Sequence, residues 1–516
     1  MATDKNKVGE LERLGPGGRE VLVLGIEAPG FDKLPLAKKI FAYYLYRAAI
    51  AGDGIMYMQC HRDALEIKYL LEGILLFAHG LQDRVKNTIH EYTKFIWIHH
   101  GHYHHHNHTK IVPADFTFGD LLEAARLAVS NGAPIELRQG ESIEDKLRRL
   151  ERSIFDEDFE PIQTNQADGV DIVATSAVNY WDPDVTSSDL EQLPLAWRDK
   201  LNVRFAKKDG RIIPEEYKIG GLFSSELKTI SHFLRLAIPC AESKEQKASL
   251  EALVEFYRTG DEELFRQHSI HWLKCDTEID YLNGFIEQYM DPRGVIGNFE
   301  ANVSFVSEST LLNRMAANAL YFEKRMPWPK KYKRERISKP VANVVNVLIE
   351  TGDSGPVSPA AYNLPNYNDI RRDHGSKNVI LLNVENTRSK KIFEESVNEF
   401  FLPEYQDNVL KYANTIARPL EVYMHEIIGH GSGKPDAKMG RDPRASLGRA
   451  YSALEECRAD LVALYHVSDP KLVENGAFRK EEQPAVVETM FITYLQGWLA
   501  RYDRIDGIEV REAHNI

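Results

Sequence analysis

The sequence predicts a helix-dominated α+β protein of two lobes, with a smaller β element in the middle of the chain. The chain has 516 residues, which exceeds the usual size of a single domain. Apolar residues recur at helical spacing through most of its length. Two stretches rich in β-branched residues, 341–350 and 378–384, are typical of strands and lie close together in the chain.

The first predicted helices lie in residues 36–84, where apolar side chains recur every three or four positions. Gly52 and Gly54 are expected to interrupt this region, because glycine is a poor helix former. The remaining predicted elements are helices at 115–130, 226–263, 278–289 and from Pro419 onward, and loops rich in Pro, Gly, Asp or Asn at 182–221 and 352–368.

Composition and charge exclude several classes of partner. The formal net charge of -13 argues against nucleic acid and anionic membranes, since neither attracts an acidic surface. No apolar stretch is long enough to span a bilayer, and the polar first residues do not resemble a secretory signal. The four cysteines form no CxxC pair, which fits free thiols in a reducing compartment. We therefore expect a cytoplasmic protein.

The segment around His425 carries a pattern typical of zinc hydrolases. His425 and His430 flank Glu426 within an apolar, helix-like run that ends in glycines. Zinc peptidases usually place these histidines four residues apart, so that both rings lie on one face of a helix. Here they are five apart, a rotation of about 140° on a regular helix. A single π-turn would restore the shared face, with Gly429 at the extra position.

A catalytic zinc ion needs a third protein ligand and an open position for water. Glu456 and Asp460 are four residues apart and share a face of a helix predicted at 450–467. One of them can bind the metal while the other accepts a hydrogen bond from a ligand histidine. Glu455 is the competing ligand, and the residues by themselves leave this choice open.

The two motifs together, His-Glu-Ile-Ile-Gly-His at 425–430 and Glu-Glu-Cys-Arg-Ala-Asp at 455–460, resemble those of the dipeptidyl peptidase III family of zinc exopeptidases. Further blocks that resemble this family are spread over most of the chain, at 43–49, 281–287, 291–292, 328–329, 363–367 and 511–514.

The resemblance implies a metallopeptidase that hydrolyses oligopeptides near the N-terminus and releases dipeptides, with one zinc ion per chain. The implied zinc ligands are His425, His430 and Glu456, and the implied general base is Glu426. The other implied roles are hydrogen bonding to the ligand histidines by Glu455 and Asp460, oxyanion stabilisation by Tyr281 and His514, and substrate binding by Asn363 and Asn366.

The resemblance also implies two lobes around a wide cleft. A mixed lobe with a small β-barrel would comprise residues 1–299 and 337–393, and a mostly helical zinc lobe would comprise 300–336 and 394–516. A monomer or a weak homodimer is expected. The chain stops two residues after His514, where the family pattern continues, so we expect a C-terminally truncated sequence or a short relative.

Two departures keep alternatives open. The family has a glutamate two residues before the tyrosine, which holds the free amino group of the substrate, and here that position is Ile279. A zinc aminopeptidase or oligopeptidase with different cleavage spacing is therefore the alternative enzyme, and a catalytically impaired peptide-binding protein is the non-enzyme alternative. Seven histidines at 99–108 fit a polar loop, a cleft wall or a second metal site.

Overall fold

The computed structural model describes residues 9–14, 19–306, 310–337, 341–385, 387, 397–434, 436 and 450–502. Within these ranges the strands are β1 (Gly9–Leu14), β2 (Arg19–Leu24), β3 (Val203–Lys208), β4 (Arg211–Glu216), β5 (Ile279–Phe285), β6 (Phe299–Val306), β7 (Val341–Gly352), β8 (Ala361–Leu364) and β9 (Lys377–Leu381).

The α-helices of these ranges are α1 (Leu36–Cys60), α2 (Ala64–Phe77), α3 (Asp83–His99), α4 (Phe118–Ser130), α5 (Ile143–Phe155), α6 (Ser187–Glu191), α7 (Leu195–Arg198), α8 (Ser224–Ala237), α9 (Lys244–Thr259), α10 (Glu262–Leu273), α11 (Thr310–Ala317), α12 (Ala319–Arg325), α13 (Asn368–His374), α14 (Pro403–Tyr412), α15 (Arg418–Tyr423), α16 (Ala450–His466), α17 (Pro470–Asn475) and α18 (Gln483–Tyr502). Two π-helical segments flank α15, at Ala413–Ala417 and Met424–Gly429. The helix-dominated α+β class is confirmed.

The main sheet has five strands in the order β5-β6-β7-β9-β8. Its pairs are antiparallel except for β7 and β9, which run parallel. The strands predicted at 341–350 and 378–384 correspond to β7 and β9 and are confirmed. The small β-barrel is wrong for the described residues, because β5 and β8 end the strand order without pairing to each other. Leu282 of β5 and Leu364 of β8 belong to one apolar cluster with Trp272.

The helix predicted at 278–289 is also wrong, because β5 occupies this part of the chain. All seven residues of β5 are buried. A strand that is covered on both faces has no alternation of apolar and polar residues, so its pattern does not separate it from a buried helix. The predicted loop at 182–221 likewise contains the β3–β4 hairpin, whose turn residues Asp209 and Gly210 have φ of 50° and 71°. Such an Asp-Gly pair is the usual signal of a tight hairpin.

Helix α1 runs without interruption through Gly52 and Gly54, so the predicted break is wrong. A Cβ on Gly52 would come within 2.0 Å of the Phe299 ring. The glycine therefore permits a close approach between α1 and β6 rather than ending the helix.

Three large apolar cores organise the described residues. One is formed between α1, α8, α9 and one face of the main sheet. A second lies among α2, α3, α4 and α5. The third joins α11, α12, the α15 region, α16 and α18, and it also receives Val344 of β7 and Ile380 of β9. The sheet thus contacts the helices that carry His425. None of the helices in the described ranges is long and apolar enough to cross a membrane.

Candidate metal centre

The π-helical segment Met424–Gly429 carries the first two candidate ligands. The backbone N–H of His430 donates to the carbonyl of His425, five residues earlier, at 3.0 Å. As a result the two imidazole rings lie on the same side of the helix, with centroids 4.7 Å apart. The π-turn predicted from the five-residue spacing is confirmed.

Gly429 brings this segment against α16, the helix with the acidic residues. A Cβ at Gly429 would lie 2.8 Å from both Cα and Cβ of Ala459. Any larger residue at 429 would therefore hold α16 away. The close contact sets the distance between the histidines on one helix and the glutamates on the other.

His425, His430 and Glu456 each direct a possible ligand atom to one point, with all three atoms within 4.8 Å of one another. Oε2 of Glu456 lies 3.2 Å from Nε2 of His425 and 3.7 Å from Nε2 of His430. Ligands of a tetrahedral zinc ion, at about 2.0–2.2 Å from the metal, are separated from each other by about 3.4 Å. The donor set therefore fits zinc with one position left for water.

The second nitrogen of each imidazole faces its own carboxylate. Nδ1 of His425 lies 2.6 Å from Oδ1 of Asp460, and Nδ1 of His430 lies 3.0 Å from Oε1 of Glu455. Such contacts fix the tautomer that presents Nε2 to a metal. Both carboxylates are themselves held, because Tyr494 donates to Asp460 at 3.0 Å and Arg458 donates to Glu455 at 2.9 Å.

Arg458 and Tyr494 are functional candidates that the sequence interpretation missed. Arg458 also donates to the carbonyl of Gly429 at 2.8 Å, so it ties α16 to the π-helical segment. Its position three residues after Glu455, inside the acidic motif, was an available signal. Tyr494 lies on α18, and no local pattern distinguishes it from the other apolar residues of that helix.

The carboxylates give this site a strong preference for positive charge. Burial opposes protonation of His425, but hydrogen bonds to Asp460 and Glu456 outweigh it and raise its pKa to about 10. In the same way, Glu455 and Glu456 overcome burial and raise the pKa of His430 to about 9. Burial opposes ionisation of Glu455, yet contacts with His430 and Arg458 lower its pKa to about 2. A divalent cation suits such surroundings.

Glu426 is half-buried beside the first ligand, and its negative charge contributes to the raised pKa of both histidines. The backbone carbonyl of Glu426 accepts a hydrogen bond of 3.0 Å from Asn378 of β9. Asn378 in turn accepts a hydrogen bond from Asn363 of β8. Asn363 and Asn378 thus connect the edge of the main sheet to Glu426, which is next to the candidate ligand His425. Asn363 is one of the site residues predicted from the sequence.

Asn366 lies near a different acidic group. Its side chain is hydrogen-bonded to Glu287, which follows β5. Burial and the charge of Asp353 raise the pKa of Glu287 to about 7. The charge of Glu287 and burial raise the pKa of Tyr289, and Glu456 contributes to the same effect. Tyr289 is nevertheless 73% exposed.

Tyr281 lies within the core that β5 shares with α1. It is 1% exposed, and its hydroxyl donates to Ser249 at 3.0 Å. Ile279 faces the same core, since it is two residues earlier on the strand and fully buried. Asp280 faces the opposite way, with Lys377 at 3.5 Å, and Glu278 forms an ion pair with Lys38. His514 lies outside the described residues.

The histidines at 99–108 end α3 and form the following loop. His102 is fully buried with no hydrogen bond to either ring nitrogen. Burial, followed by the neighbouring histidines, lowers the pKa of His99 and of His105 to about 3. Within the described ranges, three His, Cys, Asp or Glu ligand atoms converge only at His425, His430 and Glu456. The loop thus lacks the geometry of a second site of this kind.

Sequence comparisons connect the chain to known peptidases. A model of peptidase family M49 matches residues 216–439, a range that includes the histidine pair and ends before Glu456. Dipeptidyl peptidase 3 of Dictyostelium discoideum is 32% identical over 293 residues, which are 50% of this chain and 41% of that protein. Dipeptidyl peptidase 3 of Nematostella vectensis is 25% identical over 520 residues, 84% of this chain and 68% of that protein. The chain thus matches well under half of the first relative.

Structural comparison gives a similar fold over almost the whole chain. DPP III from Caldithrix abyssi superposes with a TM-score of 0.68, covering 98% of this chain and 81% of that one. The sequence identity in this superposition is 20%, so the likeness concerns the fold.

Proposed function

Because the chain belongs to the dipeptidyl peptidase III family, peptidase family M49, we propose that it is a zinc-dependent exopeptidase that releases dipeptides from oligopeptides. The observation that carries this proposal is the convergence of two imidazoles and one carboxylate beside Glu426. Three protein ligands leave a position for water, and an adjacent carboxylate can act on that water. A purely structural zinc site would instead have four protein ligands.

In the proposed mechanism, His425, His430 and Glu456 would hold a zinc ion, which would supply Lewis acidity toward the scissile carbonyl and toward a water molecule. Glu426 accepts a proton from the attacking water and later delivers it to the leaving amine. Asp460 and Glu455 keep the two imidazoles in the required tautomer through their contacts of 2.6 Å and 3.0 Å with Nδ1. Asn363 and Asn366 would hold the backbone of an extended peptide.

Tyr281 and His514 are the proposed donors to the developing oxyanion. For Tyr281 this role requires a movement, because its hydroxyl is buried and donates to Ser249. A Tyr281→Phe variant tests the role: kcat should fall by at least tenfold while zinc content stays unchanged. Ser249→Ala is the matched control, since it removes the resting partner of the hydroxyl, together with the contacts of Ser249 with His268, and leaves the hydroxyl itself in place. An equal loss of kcat in both variants would indicate a packing effect.

The amino end of the substrate needs a carboxylate partner, because an unpaired buried ammonium is costly. Ile279 cannot supply it, and Glu278 and Asp280 are engaged with Lys38 and Lys377. We therefore propose Glu287, which is hydrogen-bonded to Asn366, as the partner of the ammonium. With a pKa of about 7, Glu287 is only partly ionised at neutral pH. It is thus a weaker partner than an ordinary glutamate.

The test of the function is the product pattern from an unblocked hexapeptide incubated with zinc-loaded protein. Successive loss of dipeptides, measured by mass spectrometry, is the expected result. Loss of single residues would instead support an aminopeptidase, and internal cleavage an oligopeptidase. A peptide that is bound but never cleaved would support the peptide-binding alternative.

Three further properties belong to the same proposal. The first is the division into two lobes, one of residues 1–299 and 337–393 and the other of residues 300–336 and 394–516. The boundary near residue 300 is adjusted so that all of β6 stays in the lobe of the main sheet. The second is a monomeric or weakly dimeric state, which sedimentation velocity would test. The third is a cytoplasmic location, which cell fractionation would test.

A further inference from the structure

One face of the main sheet is unusually polar for a buried surface. On β6, the residues Phe299, Ala301, Val303 and Phe305 enter the core shared with α1. The alternate residues Glu300, Asn302 and Ser304 point to the opposite face. In the sheet, Glu300, Asn302 and Ser304 lie opposite Gly284, Leu282 and Asp280 of β5, respectively. On the other side of β6, Glu300 lies opposite Gly352 of β7 and Asn302 lies opposite Glu350. We call Asp280, Glu300, Asn302, Ser304 and Glu350 the polar sheet face.

Most of the polar sheet face is withdrawn from solvent. Asn302 and Ser304 are fully buried, Asp280 is 2% exposed and Glu300 is 4% exposed. Buried polar atoms normally have hydrogen-bond partners, and leaving one without a partner costs about 1–3 kcal/mol. Here Oε2 of Glu300, Oδ1 of Asn302 and Oγ of Ser304 have none. Oδ2 of Asp280 and the hydroxyl of Tyr362 on β8 are two further such atoms.

These atoms are mainly oxygen acceptors, and they lie close to one another. Nδ2 of Asn302 donates to Oε1 of Glu350 at 3.2 Å, and Oδ1 of the same amide is the atom that has no partner. Glu300 and Glu350 are diagonal neighbours on adjacent strands, a distance of about 7–8 Å between backbones that two glutamate side chains easily span. The hydroxyl of Ser354, in the turn after β7, donates to the carbonyl of Thr351 at 3.4 Å and contributes to the pKa of Glu300 by opposing its rise.

Several carboxylates of this region lie close enough to affect the ionisation of one another. Lys377 lies 3.5 Å from Asp280 and compensates that carboxylate. Burial, followed by the charges of Glu287, Asp353 and Glu350, raises the pKa of Glu300 well above its usual range. Burial and the charges of Asp280, Glu300 and Glu350 raise the pKa of the Tyr362 hydroxyl. Additional positive charge would therefore be favourable here.

We propose that the polar sheet face binds one hard cation of the calcium class, with Glu300, Glu350 and the amide oxygen of Asn302 as ligands. Calcium accepts six to eight oxygen ligands in flexible geometry, including carboxylates, amide oxygens and water. Zinc is a poor fit, since the set lacks nitrogen and sulfur donors. Among the described residues it also lacks three converging His, Cys, Asp or Glu atoms.

Such an ion would satisfy the unpartnered oxygens of Glu300 and Asn302 and would neutralise two carboxylates at once. It would also join β6 to β7 at the end of the sheet near Glu287 and Tyr289. The proposal is independent of peptidase activity, because its ligands are separate from His425, His430 and Glu456.

The experiment is a calorimetric titration of zinc-loaded protein with Ca²⁺, in a buffer with sodium and no other divalent ion. We expect one calcium site per chain, a higher Tm in Ca²⁺ than in Mg²⁺, and an unchanged zinc content. Glu300→Gln should weaken calcium binding by at least tenfold. Asn302→Leu provides a second variant with the same expectation, in case the first does not fold.

Glu263→Gln is the matched control, because Glu263 is 63% exposed at its side chain and should leave calcium binding unchanged. No calcium binding by the wild-type protein would overturn the proposal, with Glu300 then being a neutral acid among buried waters. Binding of Mg²⁺ that is as tight as that of Ca²⁺, or tighter, would overturn the assignment of the bound ion to the calcium class. Equal weakening in Glu263→Gln would overturn the assignment to the polar sheet face.

Discussion

Glu455 and Glu456 are neighbours in the sequence, and their roles depend on which imidazole nitrogen each one faces. Glu455 lies beside Nδ1 of His430, whereas Glu456 lies near Nε2 of both histidines. The sequence predicted that one acidic residue binds metal while another orients a histidine. The sequence could not tell which of Glu455 and Glu456 has which role. Their side chains point about 100° apart on the helix, and only tertiary packing decides which of these directions faces the histidines.

This difference gives a prediction for two matched variants. Glu456→Ala should lose zinc, because one of three ligands is removed. Glu455→Ala should retain zinc with an affinity lowered by about 10–100-fold, since only the orienting contact with His430 is lost. Metal analysis after dialysis against a mild chelator distinguishes the two. Full zinc retention in Glu456→Ala would transfer the ligand role to Glu455.

Glu426 gives a second prediction at the scale of single residues. Glu426→Gln should keep zinc, because this residue is proposed as the base and not as a ligand. Turnover of an unblocked peptide should fall by about two to four orders of magnitude. Glu404→Gln, at an exposed position in the first turn of α14, serves as the control with normal turnover. Comparable hydrolysis by Glu426→Gln and wild type would refute the role.

Buried histidines make stability depend on pH. Burial lowers the pKa of His268 from its ordinary value of 6.5 to about 4. The unfolded chain therefore binds more protons than the folded one between these values, so the free energy of unfolding falls as the pH drops through this window. Complete protonation would cost about 3 kcal/mol.

The corresponding measurement is urea unfolding at pH 7, 6 and 5. His268→Gln should show a shallower loss of stability on acidification than wild type, although it is less stable at pH 7 because it loses the contact with Ser249. His232→Gln, at an exposed position of α8, should follow the wild-type profile. Parallel profiles for wild type and His268→Gln would contradict the prediction.

At the scale of elements, the π-turn could be predicted while β5 could not. The five-residue spacing of His425 and His430 allows a shared metal only if one extra residue is inserted in the turn. For β5 the local pattern is ambiguous, and the strand is selected by its partner β6, which is not identifiable as a neighbour from the sequence. Chemical constraints within one turn are therefore easier to infer than pairings between distant segments.

Gly429 gives a prediction for the contact between the π-helical segment and α16. Gly429→Ala should destabilise the protein and weaken zinc binding by more than tenfold, because the new Cβ would meet Ala459 at 2.8 Å. Gly497→Ala is the matched control: it lies in α18 with no atom within 4 Å of its added Cβ. This control should be neutral or more stable by about 1 kcal/mol. Normal zinc affinity in Gly429→Ala would show that the helices can separate without loss of the site.

At the scale of the whole molecule, the length of the chain and its helical periodicity predicted the α+β class. They did not predict where the sheet meets the helices with the candidate ligands. That contact depends on Val344, Ile380 and Asn378, which are ordinary strand residues in the sequence. Its position follows from the parallel pairing of β7 with β9, which no local pattern specifies.

The proposed amino-end partner predicts a modest and pH-dependent selectivity. The ratio of kcat/KM for matched peptides with free and acetylated N-termini should stay below about a hundredfold at pH 7, near 3 kcal/mol. It should increase between pH 6 and pH 7.5, as Glu287 with its pKa of about 7 becomes ionised. Glu287→Gln should remove this increase. A ratio above a hundredfold that is unchanged in Glu287→Gln would indicate a different partner.

The order of the chain has a consequence for biosynthesis. Helices α11 and α12 lie in sequence between the paired strands β6 and β7, yet they bind partners made much later. Arg314 donates to the carbonyl of Asn475, and Tyr321 donates to Asp469. At a synthesis rate of about 5–20 residues per second, α11 and α12 must wait roughly seven to thirty seconds for these partners. During that time Met315 and Phe322, fully buried in the finished protein, remain accessible to chaperones on the ribosome.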